Sequence, residues 1–98
     1  MSIQSWADEE TKDIYHGVDN KKTRKKLPTS LYEKAQERLE VLDSTHSLYA
    51  LSRIKGYRLE KLKGDREGQF SIRINDQYRI CFYYKDHDAY VVEITDYH

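Results

Sequence analysis

The chain has 98 residues, with 17 lysines and arginines against 17 aspartates and glutamates, so its net charge is zero with histidine neutral. That length points to a single domain with a modest core, and the charge balance excludes a uniformly basic nucleic-acid-binding surface. One cysteine excludes an intrachain disulfide, and no apolar run reaches the roughly 20 residues that a membrane span needs. The first residues also lack the basic start and apolar run of a signal peptide, so a cytoplasmic protein with no membrane partner is expected.

Ile3 to Trp6 reads as a short strand, and Asp8 to His16 as a helix that is acidic in its first turn and stopped by Gly17. Its inward residues are expected to be Ile14, Tyr15 and Val18. Acidic residues dominate the first twenty positions, whereas Lys21-Lys22-Thr23-Arg24-Lys25-Lys26 is almost wholly basic. This hexamer reads as a solvated linker, with contact to RNA phosphates as the functional alternative. Pro28 and the capping-box pattern Ser30-Leu31-Tyr32-Glu33 open the next helix, on which Leu31, Ala35, Leu39 and Leu42 share one face. That face identifies a packing helix laid on a sheet. Asp43-Ser44-Thr45 ends it, Leu48, Leu51 and Ile54 mark a further helical turn, and His46 falls in the connector as a surface residue. Tyr57 to Leu62 makes a weaker strand, because Leu59 and Leu62 do not alternate.

From residue 69 the hydrophobic period changes to two. Phe70, Ile72 and Ile74 alternate with Gln69, Ser71 and Arg73, and Tyr78, Ile80, Phe82 and Tyr84 alternate with Arg79, Cys81 and Tyr83. Asn75-Asp76-Gln77 joins the two runs as a hairpin. Keeping the apolar residues on one face pairs Ile74 with Tyr78 and Ile72 with Ile80, which sets Arg73 opposite Arg79. Like charges directly across an antiparallel pair destabilise it unless a counter-ion or anionic ligand lies between them. The arginine pair therefore marks a candidate site. A second hairpin, turning through Asp86-His87-Asp88, aligns Phe82 with Val92, Ile80 with Ile94 and Arg79 with Thr95, and brings Asp96-Tyr97-His98 beside the arginines. Glu93, diagonal to Arg79, provides the purely structural alternative of an ion cluster that neutralises both arginines. Cys81 reads as a reduced interior thiol, and the scattered histidines at 16, 46, 87 and 98 give no metal-binding spacing, so no metal or cofactor is expected.

Three stretches together carry a family resemblance: Leu62-Lys63-Gly64-Asp65-Arg66-Glu67-Gly68, Arg73-Ile74-Asn75-Asp76-Gln77-Tyr78-Arg79, and the terminal Asp96-Tyr97-His98. The chain resembles, over nearly its whole length, the host-inhibition-of-growth or plasmid-maintenance killer toxins of the RelE/ParE superfamily of toxin–antitoxin modules. The resemblance implies an α+β fold of the RelE type, with two N-terminal helices packed on a curved, mostly antiparallel sheet of four to five strands. It implies a ribosome-dependent endoribonuclease that enters the decoding site, cuts messenger RNA and stops translation and growth. A helix-turn-helix antitoxin is the implied partner, with operator DNA contacted only through the toxin–antitoxin complex. Residue by residue, it places the working groups at Lys63, Arg79, Asp96, Tyr97 and His98, with Arg58, Arg66 and Arg73 as further RNA contacts. Glu60 stands where some relatives carry histidine and others glutamate, so a two-histidine acid/base scheme does not transfer.

Metal-free RNA cleavage needs a base for the ribose 2′-hydroxyl, cations for the charge that accumulates on phosphate, and an acid for the leaving 5′-oxygen. Arg73 and Arg79 offer planar forks to phosphate oxygens, and Lys63 adds a compact charge. His98 is the best candidate acid or base because the unperturbed imidazole pKa lies near neutrality, with Glu60 or Asp96 as its partner or as the base, and Tyr97 is suited to stacking on a nucleobase. Two other readings remain beside this one: a superfamily member that blocks a target such as gyrase without cutting RNA, and an inactive corepressor that only binds its antitoxin.

Overall fold

The computed structural model describes residues 1–97, so the role expected of His98 lies outside the described residues. Asp8 caps α1 (Glu9–Tyr15) by accepting the Thr11 N–H at 2.7 Å, and Glu9 and Glu10 lie at the positive end of the helix dipole. Ile14 is fully buried as expected, but Val18 is 39% exposed, because the chain turns at Gly17 (φ 81°) and carries it away from the core.

The basic hexamer is not a linker. It forms α2 (Lys21–Lys26), whose start is closed by a reciprocal box: Asn20 accepts the Thr23 N–H at 2.9 Å and donates its own N–H to Thr23 Oγ1 at 2.9 Å. Thr23 is fully buried and its hydroxyl also receives Tyr32 Oη–H at 2.8 Å. The capping box expected at Ser30 and Glu33 is absent. After Pro28 the chain enters through a 3₁₀ turn (Thr29–Leu31), and α3 (Tyr32–Ser44) begins with no side-chain cap. Ala35, Leu39 and Leu42 form its buried stripe together with Arg38, and a short α4 (Leu48–Ser52) follows, capped by Ser47. The expected helices and helical turn are thus present, with α2 as the added element.

Four strands form an antiparallel meander: β1 (Glu60–Lys61), β2 (Gln69–Arg73), β3 (Tyr78–Lys85) and β4 (Asp88–Asp96). β1 is only two residues long, because Arg58 takes a left-handed backbone (φ 46°) that no regular strand admits. The β2–β3 register pairs Ile72 with Ile80 and Arg73 with Arg79, as the alternation requires. Asn75 closes that hairpin by accepting the Gln77 and Tyr78 N–H groups. The second hairpin is tighter than expected: Lys85 pairs with Asp88, and Asp86 and His87 make a two-residue turn with both φ positive.

Arg79 pairs with Thr95 and Ile80 with Ile94, but Phe82 does not pair with Val92. Cys81 lies opposite Glu93 and Tyr83 opposite Tyr90, so β4 carries one extra residue, with Val91 at φ 53°. The bulge returns both Ala89 and Val92 to the core side. It also bends the outer edge of β4 to receive the N-terminal segment, which makes parallel bridges at Ile3–Ala89 and Trp6–Val92 rather than a full strand. Asp43 Oδ1 and Asp88 Oδ1 accept the Ile3 and Ser2 N–H groups, which ties that segment down and covers the sheet edge.

The core lies between the helices and one sheet face. Ile14, Leu27, Leu39, Leu42 and Leu51 meet Ile72, Ile80, Phe82, Val92 and Ile94, all fully buried. The opposite sheet face is left to Ser71, Arg73, Arg79, Cys81, Glu93 and Thr95.

Candidate active site

The open face is built from strand parity. Arg73 and Arg79 are cross-strand neighbours, Ser71 lies opposite Cys81 and Glu60, and Cys81 lies opposite Glu93. The like-charge conflict between the two arginines is resolved by giving each its own partner, not by a shared counter-ion. Arg79 is 8% exposed; its Nε donates to Ser71 Oγ at 2.7 Å and its Nη2 to the Arg58 carbonyl at 2.6 Å. Arg73 Nη2 donates to Asp76, which holds the Asp76 carboxyl below the usual carboxylate range.

Glu93 does not neutralise this pair. Its Oε1 accepts from Arg66 Nη1 at 3.1 Å, and its Oε2 lies 3.8 Å from Lys26 Nζ. Arg66 belongs to a 3₁₀ turn (Gly64–Arg66) that follows Lys63, and its Nη1 also donates to Gln69 Oε1 at 3.1 Å. Burial alone would lower the Arg66 pKa, but the hydrogen bond to Glu93 and the nearby Cys81, Glu93 and Tyr97 groups raise it. Arg66 therefore stays cationic at any working pH. Burial pushes the Cys81 thiol up, so it is protonated at neutral pH and is no nucleophile.

The remaining expected residues fall in three places. Tyr97 follows Thr95 on the open side and is 36% exposed, while its N–H donates to the Gln77 carbonyl at 2.8 Å. Lys63 and Glu60 are exposed at the rim, and Arg58, also exposed, contributes to the field at Asp76. Asp96 pairs with Tyr78, has the strand parity of Ile94, and accepts Gln77 Nε2–H at 3.0 Å.

One participant, Arg38, escaped sequence reasoning. Arg38 is a buried helix cation whose Nε donates to the Arg73 carbonyl at 2.7 Å and whose guanidinium lies 4.6 Å from the Tyr57 ring centroid. Lys26 and Glu93 were both singled out in the sequence, but not their contact with each other, which joins α2 to the open face. A charged residue inside the apolar stripe of α3 was the one available signal for Arg38. A 580 Å³ cleft lined by Tyr83, Tyr84, Lys85, Asp86, Tyr90 and Val91 lies at the other end of the β3–β4 hairpin. Its one cation, Lys85, is followed in the chain by Asp86, and the cleft holds none of the arginines, so it is less suited to an anion than the arginine face.

Comparison with known proteins agrees with this architecture. The model of the HigB-like toxin family, described as the RelE-like toxin of the type II toxin–antitoxin system HigB, matches residues 4–98. The chain is 36% identical over 72 residues to a Proteus vulgaris protein named endoribonuclease HigB, covering 74% of this chain and 77% of that one. It is 34% identical over 68 residues to toxin HigB-1 of Vibrio cholerae serotype O1, covering 69% and 72%. Among solved structures, a chain of the heterotetrameric YoeB–YefM toxin–antitoxin complex from Staphylococcus aureus superposes with a TM-score of 0.59. That match has 21% identity and covers 100% of this chain and 97% of that one, so it speaks for the fold alone. With the family match spanning almost the whole chain and the sheet, register and arginine face as described, this chain belongs to the HigB-like toxins, the RelE-like toxins of type II toxin–antitoxin systems.

Proposed function

We propose that this toxin is a ribosome-dependent endoribonuclease that cuts messenger RNA in the cytoplasm and is held inactive by a helix-turn-helix antitoxin. One observation carries the reading: Arg66, Arg73 and Arg79 are fixed on one sheet face with Tyr97 beside them and Lys63 at the rim. The name of the Proteus vulgaris relative supplies the reaction class.

In the reaction, a base takes the proton from a ribose 2′-hydroxyl and the oxygen attacks the adjacent phosphorus. The bond to the 5′-oxygen breaks, that oxygen takes a proton, and the products carry a 2′,3′-cyclic phosphate and a 5′-hydroxyl. Lys63, Arg73 and the unbonded edge of Arg79 stabilise the charge that grows on the phosphate oxygens. Arg79 Nη1 has no partner among the described residues and is the edge available to phosphate. His98 is assigned as the acid. Glu60 fits the base role better than Asp96, because it pairs with Ser71 on the face of Arg79, whereas Asp96 lies on the side of Ile94. Tyr97 stacks on a nucleobase.

The test is primer extension on a defined messenger RNA with and without programmed ribosomes, using the intact chain and a chain lacking His98. Cuts that need both ribosomes and His98 are expected. Folded protein that leaves the RNA intact would overturn the reading.

A further inference from the structure

Glu93 stands out chemically on the open face. It is a carboxylate on a surface where a phosphate is to bind, and there it repels the substrate unless another duty accounts for it. Its two oxygens take different cations: Oε1 accepts from Arg66 at 3.1 Å, and Oε2 lies 3.8 Å from Lys26. Lys26 in turn donates to Asp8 Oδ2 at 2.8 Å, so a chain of alternating charge runs from the cap of α1 through the end of α2 to the 63–66 turn. The side chains are only 23–28% exposed, unlike the surface pair Arg24–Asp19 at 53% and 52%.

The turn itself is weakly held. Gly64 and Gly68 both take positive φ, and the backbone bonds within the turn are Arg66 N–H to the Lys63 carbonyl at 3.3 Å and Glu67 N–H to the Gly64 carbonyl at 3.1 Å. Lys63, Gly64 and Asp65 are exposed. Arg66 is thus the side chain that fastens this turn to the sheet, and Glu93 is its charged anchor.

Resting on the endoribonuclease reading, we propose that Glu93 is a positioning residue, which holds the Lys63–Arg66 turn at the height where Lys63 and the edge of Arg66 that has no partner among the described residues meet the scissile phosphate. It acts through Arg66 and touches no substrate. Lys26 supports it from the helical side by holding its second oxygen.

The test compares Glu93→Gln, which keeps the shape and removes the charge, with Arg66→Ala and the double variant in the full-length chain. Amide hydrogen exchange over residues 63–68 is read by mass spectrometry without RNA, and single-turnover cleavage is read on programmed ribosomes. Glu93→Gln should speed exchange in that turn while the core strands stay protected. It should also lower the cleavage rate by on the order of a hundredfold, the effect of a displacement near 1 Å, with little change in the ribosome concentration at half-maximal rate. In the Arg66→Ala background the same change should add almost nothing. Unchanged exchange in Glu93→Gln would overturn the proposal, as would rate losses from Glu93 and Arg66 that simply multiply. If the wild-type chain cuts nothing, the endoribonuclease reading falls, and the exchange result alone decides whether Glu93 anchors the turn.

Discussion

The acceptors around Arg79 belong to the protein itself: the Ser71 hydroxyl, the Arg58 carbonyl and, at 3.3 Å, the Ser71 carbonyl. Removing the guanidinium leaves buried polar groups without a donor, which costs about 1–3 kcal/mol. Arg79→Ala is therefore expected to lose stability by about that amount in urea unfolding as well as activity, so loss of cleavage in this variant does not isolate catalysis. Arg79→Lys should recover part of the stability and little of the activity, because an ammonium lacks the planar fork whose separate nitrogens reach Ser71, the Arg58 carbonyl and a phosphate. Paired unfolding and cleavage measurements on the two variants check this. Arg73 contrasts with Arg79, since its partner Asp76 is an almost fully exposed carboxylate that a phosphate can replace.

At the level of elements, α2 owes its existence to local polar closure more than to packing. The Thr23 hydroxyl receives both the Asn20 N–H and Tyr32 Oη–H, and donates to the Asn20 carbonyl at 3.0 Å. Thr23→Val preserves the volume and removes those bonds, with an expected loss of about 1–3 kcal/mol. Far-UV circular dichroism and thermal unfolding should show α2 fraying, and with it a weaker Lys26–Glu93 contact. The β4 bulge makes the opposite prediction. Val91 is β-branched, 42% exposed and held at φ 53°, a conformation that disfavours any side chain branched at Cβ. Val91→Gly should raise stability by roughly 0.5–1 kcal/mol, the relief of left-handed strain less the added freedom of the unfolded chain. A lower midpoint in urea would show that the Val91 side chain holds the N-terminal segment.

For the whole molecule, Asp8 links the helical layer to the arginine face through Lys26. Burial alone would raise its carboxyl pKa, but the hydrogen bonds from Lys26 and Thr11 outweigh that and hold it below the ordinary value. A depressed carboxylate contributes stability that is fully present above the ordinary pKa of about 4 and is lost as pH falls through the folded value. Asp76 and Asp88 are depressed in the same direction but lie at the surface and add little, so acid should lower the stability of this protein in that window chiefly through Asp8. Asp8→Asn should be less stable than wild type at pH 7 and should flatten the acid limb of the stability curve, as measured by urea midpoints across pH. The net charge of zero also means that the molecule as a whole exerts no attraction on RNA, so the proposed binding has to rest on the local arginine face.

What the sequence determined by itself was the periodic part of the structure. Alternation in residues 69–84 left one register that keeps Ile72 and Ile80 inside, and that register set Arg73 against Arg79 before any contact was known, because a slip of one residue would turn every side chain over. The strand order, the main helix and the Arg73–Arg79 pair followed from the same local rules, whereas Lys63, Arg58 and Arg66 entered through the family resemblance. The partners of those cations were not legible. Glu93 lay near Arg79 by strand geometry, yet it reaches Arg66, 27 residues away, and Lys26 on a helix that apolar periodicity does not reveal. The burial of Arg79 and the service of Arg38 to Arg73 depend on how far each side chain reaches and on which carbonyl lies there. Periodicity is a property of neighbours along the chain; charge pairing is a property of neighbours in space, and only the packed helices, sheet and turn brought residues 8, 26, 66 and 93 together.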